Sequence, residues 1–199
     1  MYIKLTRNIV EGLRGELFHM ILFSMAWALI GEYILDFKDY AAGSVITLIV
    51  VVILALYSTR LYDLEDDLEE GYDGTADGEN KLMRRARLYA LILVFEGIAV
   101  LVTWMILLNG GRDSWIVSAF ALIAGLHFFP LAWLIRLGSY YVLGAWLCLL
   151  AAGGYWLIYS GFAGDSFINM IIAYGCAAGG LIDGIVIMMR TRRALGRQA

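Results

Sequence analysis

Polar and apolar positions fall in long blocks along this chain. Six apolar stretches, at about 17–35, 42–61, 88–108, 114–135, 140–160 and 166–189, are separated by polar connectors. Each is close to the ~20 residues of helix that cross the hydrocarbon core of a bilayer. Within lipid, a helix has the further advantage of satisfying its own backbone N–H and C=O groups. The pattern predicts an all-α, polytopic integral membrane bundle of six transmembrane helices, forming a single membrane domain over 1–199. Short connectors at 36–41, 109–113 and 161–165 make successive helices antiparallel neighbours, while 62–87 is a longer polar loop.

Charge sets an expected orientation. Of the 15 Lys and Arg residues, 13 lie before the first stretch, at the end of the second (Arg60), in the 62–87 loop, at the fourth-to-fifth turn or after the last stretch; Lys38 and Arg112 occupy the other side. The positive-inside rule therefore predicts that both termini and the 62–87 loop are cytoplasmic, as in a bacterial-type inner membrane protein. Trp and Tyr form two belts consistent with this register. Tyr33, Tyr40, Trp104, Trp115, Trp156 and Tyr159 lie towards one face, and Tyr57, Tyr62, Tyr89, Trp133, Tyr140 and Tyr141 towards the other.

Composition agrees with a membrane class. Hydrophobic residues make up 61% of the chain, charged residues 17%, and the mean hydropathy is +0.75. The basic stretches at 81–87 and 190–197 read as topology signals lying against anionic headgroups, so no nucleic-acid partner is expected. Cys148 and Cys176 lack the spacing of a zinc site or disulfide framework. In the sixth stretch, Gly175 with Gly179 and Gly180 with Gly184 have the GxxxG spacing that allows close helix approach.

The candidate chemistry is the set of ionisable residues inside the spans: His19, Glu32, Glu96, His127 and Asp183. Such groups are costly in hydrocarbon and normally face a bundle interior or a water-filled cavity. At 1.5 Å rise per residue, Glu96 lies about 13 Å from Arg87, His127 about 13 Å from Arg136 and Asp183 about 10 Å from Arg190. These three thus share a depth. Glu96 also belongs to a Tyr89, Glu96, Thr103 stripe and Asp183 to an Asn169, Cys176, Asp183 stripe, each with the seven-residue step that keeps one helix face. Glu96, His127 and Asp183 are therefore the expected substrate- or ion-binding residues, in the cytoplasmic half. Packing by interhelical hydrogen bonds is the competing explanation. Glu32 and His19 are expected at the two interfaces.

The acidic loop contains motif fragments that fail on inspection. Asp73, Thr75, Asp77 and Gly78 imitate the start of an EF-hand, but Arg84 stands where its bidentate Glu belongs. Asp63, Asp66 and Glu70 resemble the DxxDxxxD element of membrane prenyltransferases, without the usual Asn or a second acidic motif. Glu70 to Gly74 imitates the opening of the CDP-alcohol phosphatidyltransferase signature, but its Ala, Arg and later carboxylates are missing. The expectation is an ordered hairpin without bound metal, the second helix running to about Glu70 and stopping near Gly71. No catalytic residue, cofactor or metal site is expected.

Gly125-Leu126-His127-Phe128-Phe129-Pro130-Leu131-Ala132, followed by Arg136, Tyr140, Tyr141 and Gly144, resembles a segment of small bacterial multi-pass membrane proteins with a GLHFFPLA-like run. The resemblance spans about 25 residues and implies no activity. Pro130, the single proline, removes one helical hydrogen bond and predicts a local distortion that re-aims His127. The expected function is a small proton- or ion-linked transporter in contact with the lipid bilayer. A non-catalytic membrane partner or sensor subunit is the alternative, and a lipid-modifying enzyme the third reading. A homo-oligomer or membrane partner protein, and the identity of the small-molecule or ion substrate, are left open.

Overall fold

A computed structural model describes residues 7–35, 42–66 and 76–195. It contains six α-helices: α1 (Arg7–Ile34), α2 (Ala42–Asp66), α3 (Ala76–Asn109), α4 (Ile116–Ile135), α5 (Gly138–Ser160) and α6 (Asp165–Leu195), with a 3₁₀ turn at Asp113–Trp115 before α4. Each helix is long and apolar enough to cross a membrane, and no strand occurs among the described residues. The helices overrun the apolar stretches mainly where the Arg residues gather. There α1 begins ten residues before the first apolar stretch and α3 twelve before the third, because charged side chains outside lipid do not oppose continued helix. The expected end of α2 near Gly71 lies outside the described residues.

α1 and α6 form the centre. α1 packs on α2 and α6, while α6 also meets α2, α4 and α5; α4 and α5 form a tight hairpin, and the α3 backbone approaches only α4 and the 3₁₀ turn. α3 consequently directs Leu91, Val94, Phe95, Ile98, Leu101 and Met105 outward. The main core joins Met20 and Trp27 of α1, Phe128 and Leu131 of α4, Tyr140, Leu143 and Leu147 of α5, and Ile172, Cys176 and Ile187 of α6.

Small residues set the helix separations, since lipid tails supply no hydrophobic drive and close approach must gain dispersion contact instead. At the α4–α5 crossing, a Cβ on Gly125 would stand 2.7 Å from Cys148 Sγ and 3.0 Å from the Gly144 carbonyl oxygen. One on Gly144 would stand 2.8 Å from the Gly125 carbonyl oxygen. The two GxxxG spacings of α6 face different neighbours. Gly175 and Gly179 accommodate Leu150 and Trp146 of α5, whereas Gly180 accommodates Phe23 and Ser24 of α1, and Gly184 accommodates Leu54 of α2. The offset of five residues, about 140° around the helix, separates the two contacts.

Turns follow local chemistry. Gly111 and Gly161 have φ of 63° and 62° and end α3 and α5. Arg112 N–H bonds Leu107 C=O at 2.9 Å, and Phe162 N–H bonds Leu157 C=O at 3.4 Å, completing two Schellman motifs. The α4–α5 turn instead places Arg136 at φ 62°. A side chain in that conformation costs roughly 1–2 kcal/mol. α4 continues through Pro130 without interruption of its helical assignment.

The basic end of the bundle is where α1 and α3 begin and α2 and α6 finish. There Arg14 lies over the Tyr62 ring at 5.1 Å. The opposite end holds the Gly111 and Gly161 turns.

Candidate functional site

Polar side chains enter the core towards the basic end from α1 on one side and from the adjoining α3 and α4 on the other. α1 and α4 have no close backbone approach, and side chains span the gap between them. Phe128 is fully buried there, with ring centres 5.4 Å from Phe23, 5.2 Å from Tyr140 and 4.2 Å from His127. This aromatic floor holds the imidazoles in place.

His127 projects from α4 and is 7% exposed. Its Nδ1 lies 3.0 Å from Glu96 Oε1 on α3. The approach is close but poorly aligned, so neither imidazole nitrogen makes a well-directed hydrogen bond. The His19 ring, on α1, lies 6.3 Å from His127 with planes inclined by 18°. His19 Nδ1 is 2.7 Å from the Tyr89 hydroxyl of α3. Thus both histidines of the chain are brought together, each paired through Nδ1 to a residue of the Tyr89 and Glu96 stripe.

Nearer the basic end, the Tyr140 hydroxyl of α5 donates a short hydrogen bond to Glu16 Oε2 of α1. Asp183 of α6 is 5% exposed and lies within electrostatic range of both Glu16 and Tyr140. Ser139 approaches Asp183 in a poorly aligned hydrogen bond, so Ser139 Oγ and Asp183 Oδ2 lack a well-directed partner. A buried polar atom without a partner costs about 1–3 kcal/mol.

The structure therefore joins Glu96 to His127 directly, while Asp183 belongs to an adjoining group around Glu16. It also brings in Glu16, His19, Tyr89, Ser139 and Tyr140. The interfacial position expected of His19 is corrected: Tyr89, His127 and Phe128 surround its ring. Residues 16 and 19 share a helical face, and Glu16 is buried on it. Asn169 and Cys176 of the α6 stripe are buried with Asp183, and Asn169 Nδ2 donates to the Ser114 carbonyl at 3.0 Å. Thr103 is the member of the other stripe that joins neither group.

A separate polar contact ties the opposite end. Glu32 Oε1 accepts a hydrogen bond from Tyr174 at 2.7 Å and a short one from Ser44, linking α1, α6 and α2. The Tyr174 ring fits against two glycines, where a Cβ on Gly31 would approach within 3.0 Å and one on Gly43 within 2.8 Å.

No three His, Cys, Asp or Glu side chains are close enough to hold a metal among the described residues. The acids at 63–66 and the loop beyond them have no described side-chain geometry. Comparison of the chain with known protein families, curated proteins and solved structures returns no match.

Proposed function

We propose that this protein is a small proton- or ion-linked transporter, with Glu96, His127 and Asp183 at its working site and Glu16, His19, Tyr89 and Tyr140 completing it. The observation that carries this reading is the convergence of titratable side chains from five helices, two of them with unpartnered buried atoms. A merely structural network would be expected to satisfy its members, because a half-satisfied buried network is worse than an apolar core. Carriers need the reverse, with binding capacity left open between substrates. The charge bias supports a plasma-membrane orientation with the basic end, both termini and the 67–75 connection on the cytoplasmic side. The working site then opens towards the cytoplasm.

The reading is tested with purified protein in proteoliposomes, recording currents and internal pH on addition of a panel of monovalent cations and small amines. At least one solute should evoke a pH-dependent response that His127→Phe abolishes. A folded wild-type protein giving no response across the panel would sink the transporter reading. Orientation is tested separately by labelling single cysteines in intact cells. Positions 75 and 198 should resist an impermeant reagent that labels position 111.

A second reading, a non-catalytic membrane partner subunit, draws on α3. Its window of highest hydropathy is not buried by the rest of the chain, so a partner helix could pack there in place of lipid.

A further inference from the structure

The chain has two histidines, and the fold brings both to one place although they come from α1 and α4. Their rings lie 6.3 Å apart and nearly parallel, inclined by 18°. What each meets at Nδ1 differs: the phenol of Tyr89 is 2.7 Å from His19, and the Glu96 carboxylate is 3.0 Å from His127. His127 is 7% exposed, and its Nε2 is buried with no hydrogen-bond partner. The Phe128 ring lies 4.2 Å from the His127 ring, within the range at which an aromatic ring attracts a cation. The next ionisable groups are Glu16, which takes the hydroxyl of Tyr140 on α5, and Asp183 on α6.

A bare imidazole nitrogen in this setting selects its ligand. Alkali and alkaline-earth ions prefer hard oxygen donors. A transition metal needs further ligands, and no three His, Cys, Asp or Glu side chains are close enough to supply them among the described residues. A proton needs one lone pair. We infer that the ion this site takes up is the proton, and that the two histidines hold one between them, on His127. The step adds H⁺ to the Nε2 lone pair of a neutral His127 whose Nδ1–H faces Glu96, and breaks no bond. It sets an imidazolium beside a carboxylate, so the new charge is balanced where it forms. With Tyr89 donating to its Nδ1, His19 is neutral and carries its hydrogen on Nε2; a phenol offers no charge to balance a second proton. Two imidazolium rings 6.3 Å apart in a low-dielectric interior would also repel. The inference rests on the transporter reading for its purpose, and deepens it by naming the ion.

Because the chain has two histidines, labelling histidine with nitrogen-15 reports on this pair alone. The test is an NMR titration of the labelled full-length protein in nanodiscs, which reads the hydrogens on each ring nitrogen. As the pH is lowered, His127 should become imidazolium while His19 keeps its single hydrogen on Nε2. In His127→Asn, His19 should protonate at a pH where it is neutral in the wild type. Glu96→Gln should abolish the imidazolium at a pH where the wild type shows it, and Glu32→Gln, at the opposite end, should change neither ring. The wild-type spectrum and His127→Asn decide the matter if Glu96→Gln fails to fold. Two rings that protonate together, a His19 unmoved by His127→Asn, or both signals shifted by equimolar zinc would overturn the inference. Solute-driven proton currents with histidines that titrate independently would overturn it and leave the transporter reading standing. One shared proton in a protein that moves no solute would do the opposite.

Discussion

Two glutamates of α1 accept hydrogen bonds from tyrosines and yet sit in contrasting settings. Glu16 is buried under Tyr140 near Asp183, one of whose oxygens lacks a well-directed hydrogen bond. Glu32 is half-exposed and takes two hydroxyl groups, from Tyr174 and Ser44, on two other helices. A tyrosine on a carboxylate is therefore not informative by itself. What separates the two ends is the balance of donors and acceptors: Glu32 completes a closed latch, whereas Glu16 adjoins groups that can still bind.

The largest expected difference between the ends is in activity. Glu96→Gln, which removes the charge facing His127, should lower solute-driven proton movement at least tenfold, a loss of about 1.4 kcal/mol or more of coupling. Glu32→Gln should change it less than twofold. Equal losses in proteoliposome assays would erase the distinction between site and latch.

Stability should show the reverse order. Gly43→Ala places a methyl group against the Tyr174 ring, and overpacking of this kind costs about 1–3 kcal/mol. Unfolding in detergent should start at lower temperature, with transport retained in the fraction that is folded. Tyr174→Phe removes one hydrogen bond from a carboxylate that keeps Ser44, so its cost should be smaller, about 1 kcal/mol. A Tyr174→Phe protein as stable as the wild type would show that the latch contributes nothing.

The smallest effect is expected midway between the ends. Ser24 is fully buried against Gly180, and its hydroxyl has no partner. Ser24→Ala should be neutral or stabilising by up to about 1 kcal/mol, because it deletes an unpaired polar atom. A clear loss of transport without loss of stability would instead extend the working site along the α1–α6 seam towards Glu32.

Much of the architecture was legible along the chain. The number of spans follows from the lengths of the apolar blocks, and the short connectors at 109–113 and 161–165 mark two of their turns. Glu96, His127 and Asp183 were legible as costly residues at one depth. Their division into a His127–Glu96 pair and an Asp183–Glu16 group was not, because depth along an axis says nothing about which helices are adjacent. His19 was misplaced for a related reason. A residue about three turns inside a helix end is interfacial if its face meets lipid or headgroups, and buried if another helix covers it.

The sequence by itself determined that this is a chain of six membrane-crossing helices with its bases gathered at alternate connections, since hydrophobic length and charge are local quantities that the bilayer reads directly. Only the tertiary structure decided that α1 and α6 are central, that α3 is peripheral, and that both histidines meet over Phe128. Those outcomes depend on which small residues let which backbones approach. Gly125 and Gly144 close one interface, and Gly180 and Gly184 close another. Where the α1 and α4 backbones stay apart, a gap is left that aromatic and titratable side chains must fill.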